Sequence, residues 1–247
     1  MVCLKYNLNI DENGIPALSY FRERIVKRAK GYKWISPIHE VIPRQGNVIY
    51  EDIAITHKKE HASSPDRNLR IFEKMKKENY PFDARQSFYY ARELMYAKRY
   101  DDAILEYTIF LNSKDGWIEN KISTCLDLNS IYSFLEDYDK ALEWLLYSFK
   151  YSLPRAEVSC KIANIFMLNK KWDTSIYWLK QALKDKIDIT TGGFYIKDYY
   201  DFIPYINLGY CYYNLSDISK AIYYNELAGK VKPYDEVYLK NKEAYTQ

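Results

Sequence analysis

"YINLGYCYYN", residues 205–214, begins the clearest copy of a pattern that recurs along the chain. Gly209 is followed twelve residues later by Ala221, and then by Ala228 and Pro233. Apolar residues between these positions recur at three- and four-residue intervals, which is the spacing of amphipathic helices. The stretch therefore predicts two helices that cross closely where both residues are small.

Three earlier segments align with the second helix of this copy. Each of the four has an aromatic residue or isoleucine in second place and a small residue three positions later: RYDDAILEYTIFL (99–111), DYDKALEWLLYSF (137–149), KWDTSIYWLKQAL (171–183) and DISKAIYYNELAG (217–229). The small residues, Ala103, Ala141, Ser175 and Ala221, are separated by 38, 34 and 46 positions. These spacings lie around the ~34-residue period of the tetratricopeptide repeat. We interpret residues 185–200 as a loop insertion that lengthens the last spacing.

The first helix of each predicted pair carries its own marker. Twelve residues before the small positions lie Ala91, Asn129, Ala163 and Gly209, of which only Asn129 is not small. Neither helix of a pair can bury its apolar face alone, so successive pairs stack. We therefore predict a mostly α chain in which residues 84–247 form a tetratricopeptide α-solenoid of about four repeats. Residues 235–247 are predicted to add an end-cap helix.

Residues 1–83 have a different character. Short β-branched segments at 23–28, 39–43 and 47–57 are separated by turn signals, and the third alternates as expected for a strand with one buried face. A helix is predicted at about 65–79, with Ser64 as N-cap and Pro65 in the first helical position. The front part is thus predicted to be a small α+β unit.

Composition excludes several classes of function. The net charge of +3 and the absence of a basic stripe in the repeats argue against a nucleic-acid partner. The four cysteines are far apart and without CxxC pairs, which indicates reduced thiols in the cytoplasm rather than disulfides or a zinc site. No signal peptide or long apolar run indicates export or a membrane span.

The 27 tyrosines are the unusual feature of the composition. Tyrosine combines an apolar ring with a polar tip, which suits the lining of a binding groove. Candidates for such a partner-binding groove are Tyr90, Tyr132, Tyr205 and Tyr212. Two alternatives stay open, namely packing between helices and the codon bias of an AT-rich genome.

An ordered set of segments resembles a known bacterial family. "SYFRERIVKRAKGYKWISPIHEVI" (19–42), "ITHKKEH" (55–61), "SSPDRNLRIFEKM" (63–75) and "FYYARELMYAKRYDDAILEY" (88–107) occur in this order, and "PRAE" (154–157) follows. Together they resemble family-2 glycosyltransferases of GT-A type that carry C-terminal tetratricopeptide repeats. The resemblance implies that residues 1–83 are the C-terminal remnant of the catalytic domain.

The resemblance also suggests roles for individual residues. His39 would be a ligand of a divalent cation, Mn²⁺ or Mg²⁺, since mixed nitrogen and oxygen ligands suit Mn²⁺. Glu40 would orient His39 or act as catalytic base, Trp34 would form an apolar wall against a sugar, and Arg24 belongs to a basic run that could meet a diphosphate. The alternative is that His39 is an ordinary polar residue at a strand end.

The nucleotide-sugar-binding half with its DxD motif is expected to be missing from this chain, so the cation would bind only in the complete enzyme and not tightly to this chain alone. We therefore expect the C-terminal portion of a cytoplasmic hexosyltransferase, inactive alone, whose repeats bind an acceptor protein or peptide or self-associate. Nucleotide sugar would bind only together with the missing half. The alternative function is a non-enzymatic adaptor that recognises a peptide.

Overall fold

The computed structural model describes residues 1–10, 14, 16–58, 64, 66–188, 193 and 195–246. This part of the chain contains three strands and ten α-helices. The strands are β1 (Val2–Ile10), β2 (Pro16–Ile25) and β3 (Ile49–Thr56). The helices are α1 (Arg67–Lys77), α2 (Ala84–Tyr96), α3 (Tyr100–Asn112), α4 (Ile118–Phe134), α5 (Tyr138–Tyr147), α6 (Ala156–Leu168), α7 (Trp172–Ala182), α8 (Phe202–Asn214), α9 (Ile218–Val231) and α10 (Glu236–Thr246). None of these helices is long and apolar enough to cross a membrane.

The contacts divide the chain into two compact units. The first comprises Met1–Asp127 with Ile189–Tyr195, and the second comprises Leu128–Asp188 with Ile196–Gln247. This division groups α2 and α3 with the strands, whereas the repeat pattern predicted a boundary after residue 83. The predicted domain boundary after residue 83 therefore stays a prediction.

The sheet of the first unit has the order β2-β1-β3. The central strand β1 pairs antiparallel with β2, where Tyr6 lies opposite Tyr20, and parallel with β3, where Tyr6 lies opposite Ile55. Strand β1 was missed in the sequence, although Leu4, Tyr6, Leu8 and Ile10 alternate there with polar residues as expected for a strand. Its pairing with two neighbours is a tertiary feature.

The predicted strands differ from those in the structure. The segment predicted at 23–28 belongs to a strand only up to Ile25, and Arg28 begins a short 3-10 helix. The segment predicted at 39–43 is a turn that contributes only an isolated bridge between Ile35 and Val41. Strand β3 is present, but all eight of its residues are exposed, so the prediction of one buried face was wrong. β3 is an edge strand of the sheet. An alternating sequence can predict a strand, but it does not show whether another element packs on the apolar face.

Helix α1 confirms the predicted helix and shortens it. Asp66 is its N-cap residue, and the Ser64 hydroxyl donates to the Asp66 carboxylate instead of capping the helix itself. Pro65 lies outside the described residues. Leu69, Phe72 and Met75 form the buried stripe of α1 at three-residue spacing, as expected for an amphipathic helix.

The small residues that defined the repeats are all buried. Ala103, Ala141, Ser175 and Ala221 are each 0% exposed. A Cβ added at Gly209 would lie 3.2 Å from the carbonyl oxygen of Ala221, which shows how closely α8 and α9 cross. In the second repeat Asn129 fills the equivalent space, and its Nδ2 donates to the Ala141 carbonyl at 3.2 Å. Asn129 therefore fits the repeat by hydrogen bonding to the carbonyl that Gly209 approaches.

Each helix pair is joined by the same left-handed turn. The residue five positions before the small residue has a positive φ in all four repeats: 60° at Lys98, 60° at Glu136, 56° at Lys170 and 61° at Ser216. Its N–H donates three residues back, and the next N–H donates five residues back at 2.9 Å in every repeat. These are the two bonds of a Schellman motif, which ends the first helix and reverses the chain. Glycine is the usual residue here, so its absence hid the turns in the sequence.

The second unit has a continuous core drawn from four helices. It contains buried residues of α6, α7, α8 and α9 together with one residue of α10: Ala156, Cys160, Ala163, Ile176, Leu179, Ala182, Leu208, Cys211, Tyr212, Ala221 and Tyr245. The predicted end-cap helix is present as α10, where Tyr238 and Tyr245 are buried while Val237 and Leu239 stay exposed. The four cysteines are free and buried, as the sequence predicted.

We predict that glycine at the left-handed turns stabilises the protein. Glu136→Gly and Lys170→Gly should each raise the free energy of unfolding by about 0.5–1 kcal/mol, because a non-glycine residue in this conformation is strained. The control Glu143→Gly, at an exposed position inside α5, should lower the free energy of unfolding by about 1 kcal/mol. Urea denaturation measures these differences, and a loss of stability in both turn variants would contradict the assignment.

Candidate functional site

A polar cavity of about 250 Å³ lies in the first unit, where three distant stretches of sequence meet. One residue comes from β2, four from the turn after it and two from the first turn of α1: Arg22, Pro37, Ile38, His39, Glu40, Arg67 and Asn68. Each of these residues falls inside one of the segments that carry the glycosyltransferase resemblance. Two of the five resembling segments, 19–42 and 63–75, thus line this cavity.

His39 occupies a strained position at this cavity. Its φ of 53° lies in the left-handed region, which few residues other than glycine adopt, although histidine is found there more often than most. The imidazole stacks on the ring of Tyr89 with a centroid distance of 3.9 Å and an interplanar angle of 12°. Arg85 donates to the His39 carbonyl at 3.2 Å. These contacts with α2 hold a backbone conformation that costs about 1–3 kcal/mol.

Glu93 of α2 supplies a buried carboxylate beside His39. The residue is 8% exposed, and its Oε1 lies 3.4 Å from His39 Nε2. Asn68 Nδ2 donates to the same oxygen at 2.9 Å. A buried carboxylate is stable only when it is hydrogen-bonded or paired, and these two partners meet that requirement.

The side chains around the opening carry more positive than negative charge. Arg22 and Arg67 line the cavity, and Arg22 donates to the Glu40 carbonyl at 3.0 Å. Glu40, the one carboxylate among the lining residues, is exposed to solvent. The arrangement is suited to an anionic ligand, since guanidinium groups recognise phosphate and carboxylate oxygens.

The predicted site residues do not all meet at this cavity. His39 and Glu40 line it, but they lie in a turn rather than on a strand. Trp34 is 56% exposed and Arg24 stacks over Tyr6 at 4.5 Å; neither is among the lining residues. The catalytic role of Glu40 and the substrate-binding roles of Trp34 and Arg24 stay predictions.

The described residues do not by themselves complete a metal site. In this part of the chain no group of three or more His, Cys, Asp and Glu side chains could hold a metal ion. At the cavity, His39 is accompanied by Glu93 alone within contact distance. The predicted role of His39 as a ligand of Mn²⁺ or Mg²⁺ would need further ligands, and it stays a prediction.

The four tyrosines predicted to line a groove have different environments. Tyr90 and Tyr212 are each 8% exposed. Tyr90 packs against Phe72 and Phe82, and Tyr212 stacks on Tyr224 with a centroid distance of 5.5 Å. These two serve helix packing, which was the alternative explanation for the tyrosines. Tyr132 and Tyr205 are half-buried, and their role in a groove stays a prediction.

A row of exposed residues on the first helices of the repeats was missed in the sequence. The residues directly after the marker positions of α4, α6 and α8, and those four places later, are all exposed: Ser130, Asn164 and Tyr210, then Phe134, Leu168 and Asn214. Phe134 is 64% and Leu168 55% exposed. We call this set the first-helix face. The repeat alignment could have identified it, because equivalent positions of stacked repeats share one surface.

Comparison with known proteins supports the fold. No protein-family model and no curated protein matches the chain. Among solved structures, BtubC (BKLC) from P. vanneervenii has a TM-score of 0.56 and 17% identity, over 74% of this chain and 84% of that chain. YrrB, described as a TPR protein with an unusual peptide-binding site, has a TM-score of 0.51 and 12% identity, over 74% and 83%. Cut9–Hcn1 of the APC/C has a TM-score of 0.52 and 16% identity, over 72% of this chain and 32% of that chain. These similarities show a tetratricopeptide-type fold.

A second buried carboxylate, Glu157, lies in the "PRAE" segment at the start of α6. It is 8% exposed, and the Tyr200 hydroxyl donates to its Oε2 at 3.2 Å. Burial raises the pKa of Glu157, and the hydrogen bonds oppose that rise only in part. The folded protein therefore favours the protonated form of this side chain.

We predict a pH-dependent gain in stability for Glu157→Gln. The stabilisation from protonated Glu157 is complete below the unfolded pKa of about 4.3 and is lost as pH rises through the raised folded pKa. Glutamine does not ionise, so the variant should be more stable than the wild type at pH 7, and the difference should vanish near pH 4. Thermal unfolding across this range is the measurement, with the exposed Glu143→Gln as control. A difference that is independent of pH would contradict the prediction.

Proposed function

We propose that this chain is a protein-interaction module of tetratricopeptide type that forms the C-terminal part of a bacterial family-2 glycosyltransferase. The observation that carries the proposal is that two of the resembling segments, 19–42 and 63–75, meet at the cavity beside His39. Segments that are separate in sequence and meet at one polar cavity are typical of a functional site. Under this proposal the complete enzyme acts in the cytoplasm and takes a divalent cation.

The first-helix face supports a binding role for the repeats. It combines exposed apolar side chains, such as Leu168 and Tyr210, with the hydrogen-bonding side chains of Ser130 and Asn164. Lys161 Nζ donates to Ser130 Oγ at 3.4 Å, which places α4 and α6 side by side at this face. An extended peptide needs both apolar contacts and partners for its backbone amides. We therefore propose that the face binds the acceptor protein or peptide.

The solved structures are consistent with this role. The description of YrrB names a peptide-binding site, and Cut9–Hcn1 is described as a hetero-tetramer. A fold of this kind is compatible with many partners, so the partner must be identified from the surface itself. Self-association of the repeats is a further proposal that the same face would allow.

The cavity supports the catalytic part of the proposal. Two guanidinium groups, from Arg22 and Arg67, border a space of about 250 Å³. Such a pair suits the diphosphate of a nucleotide sugar, because guanidinium forks match phosphate oxygens. We propose that these arginines contact the diphosphate, with the remaining contacts made by the nucleotide-binding half.

We predict that changes on the first-helix face weaken peptide binding. Binders should first be selected from a random phage-displayed peptide library against the full chain. Leu168→Asp and Tyr210→Ala should each weaken binding of a selected synthetic peptide by about tenfold, equivalent to about 1.4 kcal/mol. Fluorescence anisotropy with the labelled peptide measures the affinity.

Matched controls lie elsewhere on the repeats. Leu153, 87% exposed before α6, and Tyr177, 58% exposed on α7, are not part of the face. Leu153→Asp and Tyr177→Ala should leave the peptide affinity unchanged. Equal losses in the face variants and the controls would show that the peptide binds elsewhere.

We predict weak binding of inorganic pyrophosphate, about millimolar, because the chain supplies only part of the diphosphate contacts. Isothermal titration calorimetry should detect the heat of pyrophosphate binding, and Arg67→Ala should abolish that signal. The control Arg70→Ala changes another exposed arginine of α1, which pairs with Asp66 at 3.2 Å, and it should leave the binding intact. If Arg67→Ala binds pyrophosphate as the wild type does, the non-enzymatic adaptor becomes the better description.

A further inference from the structure

A single stripe of α2, the first helix of the repeats, surrounds His39. Arg85, Tyr89 and Glu93 follow one another at four-residue spacing and therefore lie on one side of the helix. They contact three different parts of His39, namely its carbonyl, its ring face and its Nε2. The ring also stacks with that of Phe72 of α1, with a centroid distance of 6.2 Å.

The contact between His39 and Glu93 determines which ring nitrogen carries the proton. An ionised carboxylate can only accept hydrogen bonds, and its Oε1 already accepts one from Asn68. The His39 nitrogen that faces this oxygen at 3.4 Å is then placed to donate, an arrangement that puts the proton of the neutral ring on Nε2. Nδ1 then keeps its lone pair.

We propose that Glu93 is a positioning residue for His39, which fixes the Nε2–H tautomer and leaves Nδ1 as the ring atom that can accept a hydrogen bond from a ligand. His39 lines the cavity, so the donor would be a hydroxyl or N–H group of a molecule bound there, and not the diphosphate that we assign to Arg22 and Arg67. The inference rests on the proposed function for its role in a reaction. The assignment of the His39 tautomer to Glu93 does not depend on the proposed function.

The proposal assigns a chemical role to the first repeat. A carboxylate behind a histidine sets the tautomer and the orientation of the ring in many enzyme and metal sites. Here that carboxylate comes from α2 rather than from the strand-containing segment. The site residues and the first repeat are therefore one functional unit, although the sequence pattern separates them after residue 83.

Long-range ¹H–¹⁵N NMR of the histidine rings, recorded near pH 8 where imidazole is neutral, tests the tautomer. His39→Gln assigns the His39 signals among those of the three histidines. We expect a pure Nε2–H tautomer for His39 in the wild type. A dominant Nδ1–H form in the wild-type spectrum, or exchange between the two tautomers, would by itself overturn the proposal.

Variants of Glu93 separate positioning from folding. Glu93→Met keeps the length of the side chain and removes the acceptor, so an Nδ1–H population should become visible. Glu93→Gln should restore the wild-type pattern, since its amide oxygen can accept from both Asn68 and His39. The control Glu106→Met removes a carboxylate that is paired with Lys76 at 2.7 Å and should leave the His39 signals unchanged. An unchanged tautomer in Glu93→Met would refute the proposal.

This outcome can be distinguished from failure of the proposed function. Pyrophosphate binding reports on the cavity arginines, whereas the ring spectra report on Glu93 and need no ligand. A fixed tautomer without pyrophosphate binding would leave Glu93 as the partner of His39 and remove the diphosphate assignment.

Discussion

The close approach of two helix backbones at one small residue is the constraint on which the repeats depend. Each second helix places a residue without a large side chain, such as Ala141 or Ala221, at the crossing, where it is fully buried. Its carbonyl oxygen is then close enough to meet either a bare glycine backbone or the amide of Asn129. Because that crossing recurs, the same left-handed turn can join every pair, and in the second unit the aliphatic and aromatic residues of α6 to α10 fill a continuous core. A larger residue at the crossing would separate the helices and leave cavities among side chains that are packed at crystal-like density.

A second constraint acts in the first unit, where a carboxylate is buried on α2. Glu93 can remain there only because Asn68 and His39 satisfy it, and this links α1, α2 and the turn after β2. The left-handed backbone of His39 is held by contacts with Arg85 and Tyr89 of the same helix. Strain of this kind persists where the surroundings over-determine a residue, and such places are often functional. The cavity beside His39, lined by Arg22 and Arg67, is consistent with that expectation.

These two parts make a coherent proposal for function. The repeats present a surface whose residues are chemically suited to a peptide, and the cavity presents cationic groups suited to an anion. A glycosyltransferase that modifies a protein needs both kinds of recognition. The similarity to solved tetratricopeptide structures, all below 20% in identity, supports the fold and leaves the choice of ligands to the residues themselves. Helix α2 belongs both to the first repeat and to the His39 site, so the first repeat is part of the structure that holds His39 in place.

The sequence by itself determined the helical repeats, since the spacing of small and apolar residues directly reflects the 3.6-residue helical period and the crossing of two backbones. Gly209, Ala221 and the end-cap helix were all predictable in this way. The strands were predicted less well, since the alternating pattern of β1 was overlooked, and the exposure of β3 depends on which elements cover it. Glu93, Tyr89 and Arg85 look like ordinary residues of a repeat helix, and two of the tyrosines predicted for a groove proved to be core residues. Only the tertiary structure brought residues 54 positions apart, His39 and Glu93, into contact, since a hydrogen bond between distant residues leaves no periodic signal in the chain.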